Sequence, residues 1–179
     1  PVHAAVGAVH AGWRGAAQGL VSIALRRMGE VFGTHPADVR AAIGAGIGPC
    51  CFETDGDVPQ AMRAALAEDL RDALDACKIN ASQENFQRLA ATMIAAPLFF
   101  PAQRPEGEAA PADGQQHLQF GKVRTDDGRT FFCAFTDRAR LLQWRNMGSV
   151  ELGVKDYAPL VLSSNDTGII IDPSVGSGL

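Results

Sequence analysis

The sequence predicts an α/β fragment followed by an α+β domain, so that the fold is mixed α and β overall. Hydrophobic residues make up 46% and charged residues 20% of the 179 positions, enough apolar material for a core. Up to about residue 65 predicted strands and helices alternate, whereas beyond it strands pair locally and helices are set apart. Residues 1–65 hold five of the 16 basic and five of the 20 acidic residues, so the rest carries the whole net charge of −4. We therefore expect two domains, residues 1–68 and residues 69–179.

The first part is predicted to run strand, loop, helix, strand, loop, helix. Small and β-branched residues alternate over residues 2–9, which is typical of a strand, and a second buried strand is predicted over residues 39–43. Between them, apolar residues at helical spacing predict a helix over residues 15–32 that stops at Gly33. After a glycine-rich loop, another helix begins near Asp57.

The second part is predicted to contain capped helices, a hairpin and several short strands. Ser82 and Thr136 are placed to cap helices that end before Pro97 and at Trp144. The string TDDG between two apolar runs is a strong signal for a β-hairpin. Residues 101–117, rich in Pro and Glu, predict a solvated loop. Strands are predicted at residues 98–100, 118–123, 129–135, 150–154 and 168–172, with a short helix after Asp156.

Charge and cysteine usage exclude several classes of function. A net charge of −4 leaves no basic surplus for nucleic acid or an anionic membrane surface. No apolar run approaches the roughly 18 residues of a membrane span, and the first residues carry no signal-peptide pattern. Four cysteines do not make a disulfide framework in a chain this long, so we expect free thiols in a reducing cytoplasm. Cys77 and Cys133 are predicted to be structural.

Residues suited to metal and anion chemistry follow the two strands predicted in the first part. His10 and Arg14 follow the first strand, and Cys50, Cys51 and Glu53 follow the second. Ligands bind at the carboxyl ends of strands in α/β folds, so these groups are candidates for one site. A His and a Cys from separate loops suit zinc, and an Arg at a helix N-terminus suits an anion. By spacing alone, a core histidine and buried thiols are the commoner explanation.

Two strings in the first part carry a family resemblance. AVHAGWRG and, about forty residues later, IGAGIGPCCFE closely resemble the laccase-domain family, also called multicopper polyphenol oxidoreductase-like, over residues 1–66. Members of that family act as purine nucleoside phosphorylases. The resemblance implies one zinc ion and phosphorolysis of adenosine, inosine and methylthioadenosine, with adenosine deamination as a side activity. It implies His10 and Cys50 as zinc ligands, with Cys51 less favoured. Arg14, from its place at a helix N-terminus, is predicted beside them as the third catalytic residue.

The third zinc ligand that the resemblance implies has no counterpart in its usual place. In the family it is a histidine in a His-Leu-Asp-Leu type segment soon after GPCC, and no such segment follows GPCC here. After Cys51 the sequence contains one histidine, His117, in the predicted solvated loop. Zinc with two protein ligands is weakly held. We therefore expect an incomplete active site with zinc weakly held or absent.

A second resemblance covers residues 70–179. The strings INASQENFQRLAATMIAAPLFFP, DGRTFFCAFTDRARLLQW and GIIIDPS are similar to the N-terminal domain of the SseB family, which is associated with serine sensitivity. No catalytic residue is carried over. Asp126, Asp127 and Asp137 are predicted to serve turns and caps. Five large side chains of the second string are predicted to lie in the core: Phe131, Phe132, Phe135, Leu141 and Trp144.

Two functions from different classes follow from these resemblances. The first is a zinc-dependent purine nucleoside phosphorylase acting on a purine nucleoside and phosphate, with zinc as a Lewis acid and Arg14 stabilising phosphate. The second is a non-catalytic binding or regulatory module, in which the SseB-like domain is the functional unit and contacts a protein partner. Copper-based phenol oxidation, suggested by the family's other name, requires more histidines than the four present.

Overall fold

A computed structural model describes residues 4–44, 46, 52–105 and 117–173. The chain divides into two compact units, Pro1–Ala65 and Leu66–Leu179, called here the first and second unit. Helices occur in both units, and the described strands lie in the second. The prediction of a fold that is mixed α and β overall is confirmed. In the described part of the chain, no helix is both long and apolar enough to cross a membrane.

The first unit contains a helix that is broken at a glycine. Residues Trp13–Ala17 form α1 and residues Leu20–Phe32 form α2, where a single helix over residues 15–32 was expected. Gly19 separates the two because its φ of 67° is left-handed, a conformation that glycine adopts without a Cβ penalty. Gly33, also left-handed, ends α2 with its N–H bonded to Gly29 O, so the predicted stop is confirmed.

The two strands predicted in the first unit are not present in the described residues. Residues 4–9 and 39–43 have no strand structure. Val6 is 92% exposed and Ile43 is 99% exposed, so neither segment is covered as a buried parallel strand would be. A strand forms only when a neighbouring strand accepts its backbone hydrogen bonds, and the described part of this unit supplies none.

Four further helices are formed where the sequence places them, and their ends follow local signals. Ser82 caps the second of them as predicted, its Oγ accepting a hydrogen bond from the Asn85 N–H at 3.2 Å. The first of them begins in the first unit and ends in the second. The four helices are α3 (Asp57–Ile79), α4 (Gln83–Ala95), α5 (Arg138–Trp144) and α6 (Val154–Ser163).

Six strands of the second unit form two three-stranded sheets. They are β1 (Leu98–Gln103), β2 (Gln119–Phe120), β3 (Lys122–Arg124), β4 (Thr130–Ala134), β5 (Ser149–Leu152) and β6 (Gly168–Ile171). One sheet has the order β2-β1-β5 and is antiparallel, with Phe100 opposite Val150. The other has the order β3-β4-β6, in which β3 and β4 form the hairpin predicted from TDDG and β4 runs parallel to β6.

Gly121 passes the chain from one sheet to the other. It lies between β2 and β3, donates its N–H to Pro101 O at 2.8 Å and accepts the Cys133 N–H at 3.1 Å. A Cβ at this position would lie 3.0 Å from Pro101 Cβ, so the close approach favours glycine. A bridge between Phe99 and Phe135 also links β1 to β4. The two sheets therefore form one continuous layer.

Side chains alternate along β4 between two hydrophobic clusters. Phe132 and Ala134 lie in the larger cluster, which also holds Leu70 of α3 and apolar residues of α4 and α6. Cys133 and Phe135 lie in the smaller cluster with Leu141 of α5. The layer of strands is thus covered on both faces. Of the five predicted core residues, Phe132, Phe135 and Leu141 are buried, Trp144 packs against the smaller cluster, and Phe131 is half-buried.

Candidate functional site

The segment HAGWRG places its histidine and arginine on the surface of the first unit. His10 is exposed in a stretch without regular secondary structure, and Arg14 is exposed as the second residue of α1. The Arg14 guanidinium lies 4.2 Å from the centre of the Trp13 ring, a cation–π contact that orients the side chain. Cys50 and Cys51 lie outside the described residues, so the predicted pairing of His10 with Cys50 stays a prediction.

A cleft of about 200 Å³ in the first unit brings Arg14 and Glu53 together. Its walls combine aromatic, acidic and hydroxyl groups, contributed by Trp13, Arg14, Phe52, Glu53, Thr54, Asp55, Asp57 and Val58. The lining therefore contains one cation and three carboxylates. Carboxylates accept hydrogen bonds from hydroxyl and amino groups, and aromatic rings pack against flat heterocycles. The lining suits a neutral, ring-containing ligand better than a free anion, because like charges repel.

The described residues do not by themselves provide a zinc site. Within residues 4–44, 46, 52–105 and 117–173, no three His, Cys, Asp or Glu side chains come close enough together to hold a metal ion. His117 is exposed and lies far along the sequence from the cleft residues. A zinc site at His10 therefore depends on Cys50, as the sequence predicts.

A network of hydrogen bonds joins the carboxyl ends of the two parallel strands β4 and β6. Thr136, which is 2% exposed, donates its hydroxyl to Asp172 Oδ2 at 2.8 Å and its N–H to Asp172 Oδ1 at 2.9 Å. The same hydroxyl accepts a hydrogen bond from Arg71 Nη1 at 3.2 Å. The backbone of Asp172 is left-handed, with φ of 49°, which is uncommon for a residue with a side chain. The network holds this strained residue in place.

The helix cap expected at Thr136 lies one residue later. Asp137 caps α5, its Oδ1 accepting the Arg140 N–H at 2.9 Å, and its Oδ2 also accepts from Arg71 at 3.2 Å. Thr136 is buried against Asp172 instead, so its hydroxyl is not free to cap. The prediction of a cap role for Asp137 is confirmed, and that for Thr136 is wrong. The Thr136–Asp172 pair was missed because 36 residues separate its members, although both lie in strings that carry the second resemblance.

Two titratable groups in the second unit have displaced pKa values with structural causes. Hydrogen bonds from the Arg129 side chain, the Thr125 hydroxyl and the Arg129 N–H lower the pKa of Asp127 far below its ordinary value of 3.8. This confirms that Asp127 serves the hairpin turn. Burial raises the pKa of the Cys133 thiol to about 11, so this cysteine is a core residue and not a nucleophile.

Two family models match the chain, and each covers more than half of it. The model described as multi-copper polyphenol oxidoreductase laccase matches residues 1–98. The model of the SseB protein N-terminal domain matches residues 70–179. The chain belongs to both families. The laccase-type match includes the whole first unit, and both matches include the region of α4. No solved structure is significantly similar to the chain.

The curated relatives are named purine nucleoside phosphorylases, and each of them matches about a third of this chain. The enzyme of that name from Bacteroides thetaiotaomicron is 43% identical over 61 residues, 34% of this chain and 23% of the relative. Purine nucleoside phosphorylase YlmD of Geobacillus stearothermophilus is 39% identical over 61 residues, 34% of this chain and 22% of the relative. Purine nucleoside phosphorylase YlmD of Bacillus subtilis is 36% identical over 64 residues, which are 36% of this chain and 23% of the relative. The chain therefore spans less than a quarter of the length of these relatives.

Proposed function

We propose that the first unit carries a purine nucleoside phosphorylase site. The observation that carries this proposal is the cleft that Arg14 and Glu53 share, because each belongs to one of the two strings that resemble the laccase-type family. The relatives' names add support. The proposed substrates are adenosine, inosine and methylthioadenosine together with inorganic phosphate, and adenosine deamination is the proposed side activity.

The reaction is a pentosyl transfer. A phosphate oxygen forms a bond to C1′ of the ribose, the bond between C1′ and the purine nitrogen breaks with its electron pair on the base, and the base takes up a proton. The products are the free purine and ribose 1-phosphate. In the proposed site, Arg14 stabilises the phosphate, and the aromatic walls Trp13 and Phe52 hold the purine.

The charge of the cleft predicts slow turnover. Arg14, Glu53, Asp55 and Asp57 all line the cleft, so a phosphate entering it meets three carboxylates and one cation. A zinc ion bound by His10 and Cys50 would supply the positive charge and Lewis acidity that phosphate transfer needs. Since two ligands hold zinc weakly, we propose that the site is incomplete and its activity low.

The test is phosphate-dependent release of adenine from adenosine by the full chain, with metal analysis of the purified protein. We expect about one zinc per chain at most, and loss of both zinc and activity in His10→Ala and in Cys50→Ala. His35→Ala and Cys77→Ala are matched controls, because neither residue belongs to the two strings that carry the laccase-type resemblance or is an implied zinc ligand. Activity that survives both test substitutions would rule out the assignment of these residues.

A second candidate is a non-catalytic binding module built on the second unit. The observation in its favour is that every buried hydrophobic side chain among the described residues lies at residue 67 or beyond. Protein without zinc and without phosphate-dependent turnover would favour this candidate. For both candidates we propose a cytoplasmic location, which the free thiols of Cys77 and Cys133 support.

A further inference from the structure

The cleft in the first unit carries more negative than positive charge. Its lining includes the carboxylates of Glu53, Asp55 and Asp57, and Arg14 supplies a guanidinium. Among the described residues, none forms a hydrogen bond or an ion pair with the side chains of those three acids. Carboxylates without a partner attract a cation that comes to lie beside them. The charge of the lining therefore favours a positively charged ligand over a neutral one.

The aromatic walls of the cleft favour a cation that is flat. The Arg14 guanidinium lies 4.2 Å from the centre of the Trp13 ring, so this ring already holds a planar, delocalised cation on one face. Phe52 contributes a second ring to the same lining. Aromatic faces attract cations and also stack on flat heterocycles. A flat heterocycle that carries a positive charge therefore suits both the rings and the carboxylates.

We propose that this cleft selects purine nucleosides whose ring carries a positive charge, as in a purine alkylated at N7. The proposal rests on the proposed function, because it names the substrate class of the same site. Inorganic phosphate remains the second substrate. In 7-methylguanosine the positive charge is spread over the five-membered ring of the purine, so the base is a planar cation of the kind that the lining favours.

A charged purine also removes one demand on the site. When phosphate forms its bond to C1′ of a neutral nucleoside, the C1′–N9 bond breaks with its electron pair on the base, and the base takes up a proton. A purine alkylated at N7 becomes neutral on receiving that electron pair, so it leaves without a proton. The described lining contains no His, Cys, Lys or Tyr that could donate one. These residues therefore fit a charged substrate better than adenosine or inosine.

The first experiment compares the binding of two nucleosides of the same shape to the full chain without phosphate. Titration calorimetry measures the affinity for 7-methylguanosine and for its neutral analogue 7-methyl-7-deazaguanosine, in a slightly acidic buffer that keeps the former protonated at N1. At low salt we expect the charged nucleoside to bind about tenfold more tightly, as a cation–π contact shielded from water allows. The ratio should shrink at high salt, which screens exposed charges. Equal affinities at low salt would overturn the proposal.

Asp55→Asn tests the carboxylates of the cleft directly. Asparagine has the shape of aspartate and the same preference for positions near a helix start, so α3 is preserved. The affinity ratio should fall about threefold, the effect of one exposed charge pair. Asp38→Asn is the matched control, because Asp38 is an exposed acid of the same unit that does not line the cleft. An equal fall in both variants would place the preference outside the cleft and overturn the proposal.

Turnover distinguishes this proposal from the proposed function. With inorganic phosphate present, the chain should release 7-methylguanine from 7-methylguanosine faster than guanine from guanosine, after subtraction of the release without protein. Phosphorolysis of adenosine and inosine with no preference for the charged nucleoside would overturn the proposal and leave the proposed function. Preferential binding of 7-methylguanosine without phosphate-dependent release of any purine would remove the proposed function and leave the charge preference of the cleft.

Discussion

The Thr136 side chain is buried, and its hydroxyl lies in the hydrogen-bond network at the carboxyl ends of β4 and β6. It donates to Asp172 and accepts from Arg71, so its removal takes one hydrogen bond from an oxygen of the half-buried Asp172 carboxylate. We expect Thr136→Val to lower the free energy of unfolding by about 1–3 kcal/mol, the cost of leaving a buried hydrogen-bonding group unsatisfied. Urea unfolding followed by circular dichroism measures this change.

Thr167→Val is the matched control for that substitution. Thr167 is exposed in the same unit, and the bond it makes to Thr130 O comes from its backbone N–H, which valine retains. We expect a change below about 0.5 kcal/mol. Equal losses in the two variants would show that the Thr136 hydroxyl contributes nothing specific.

Asp127 gives the hairpin turn a dependence on pH. Its pKa is below the ordinary value of 3.8 because Arg129 and Thr125 donate to its carboxylate. Because the folded-state pKa is lower than the unfolded-state pKa, the charged carboxylate stabilises the fold at pH values above the unfolded-state pKa. This contribution begins to fall as pH drops below the unfolded-state pKa and is lost once pH falls through the folded-state pKa. Asp127→Asn should therefore reduce the drop in the urea midpoint between pH 7 and about pH 3. The neighbouring Asp126→Asn should leave the wild-type drop in place, and the same drop in all three proteins would contradict the prediction.

Residue roles were predictable where their partners are close in sequence. Asp127 bonds to residues two positions away and Asp137 caps the helix that follows it, so local turn and capping rules suffice. Thr136 was assigned a cap because it precedes the same helix, but a partner 36 residues away takes its hydroxyl. Local patterns contain no information on such a pair. Arg14 and Glu53 line one cleft, whereas the predicted approach of His10 to Cys50 stays a prediction.

Among the elements, the helices, the hairpin and the strands of the second unit were predictable, whereas the two strands expected in the first unit were not. The helix that starts at Gln83 carries its own capping residue, and the β3–β4 hairpin carries its own turn. Residues 39–43 have the apolar pattern of a strand, but a strand also needs a hydrogen-bonded neighbour, and the local sequence does not determine whether one is present. The helix expected over residues 15–32 was interrupted because Gly19, an internal helix position in the prediction, takes a left-handed φ.

The pairing of β1 with β5 depends on a glycine at its end. A Cβ on Gly148 would lie 2.9 Å from Ala102 O, while the Ala102 N–H donates to Gly148 O at 3.0 Å. The backbone of one strand must move to admit a methyl group, so we expect Gly148→Ala to cost about 1–3 kcal/mol of stability, as overpacked sites do. Thermal melting measures the loss. Gly56→Ala, where a Cβ meets no atom within 4 Å, is the control, and a melting temperature that Gly148→Ala leaves unchanged would refute the steric reading.

At the scale of the whole molecule, the two units differ in their capacity to fold alone. The second unit contains both hydrophobic clusters, whereas the helices α1 and α2 of the first unit bury no residue. We expect residues 66–179 to unfold in one cooperative transition when produced alone, and residues 1–65 to show none. Differential scanning calorimetry of the two fragments checks this. A cooperative transition from residues 1–65 would contradict it.

The start of the second fragment should matter for the same reason. Leu66 packs against the larger cluster, and Leu70 at its centre is fully buried. A fragment that begins at residue 70 lacks Leu66 and its contact with the cluster. Leu70 then lies at the frayed end of α3. It should therefore melt at a lower temperature than residues 66–179. Equal melting temperatures would contradict this and show that the residues before position 70 do not stabilise the second unit.

Gly121 passes one strand between the two sheets, its N–H bonded in one and its carbonyl oxygen in the other. Separating the two sheets at this point therefore breaks a backbone hydrogen bond of Gly121, either to Pro101 in one sheet or to Cys133 in the other. A pulling force applied to either edge of the layer is therefore shared by both, and six strands of two to six residues resist shear as a single wide ribbon. Gly121 and the Phe99–Phe135 bridge together make the two sheets mechanically continuous.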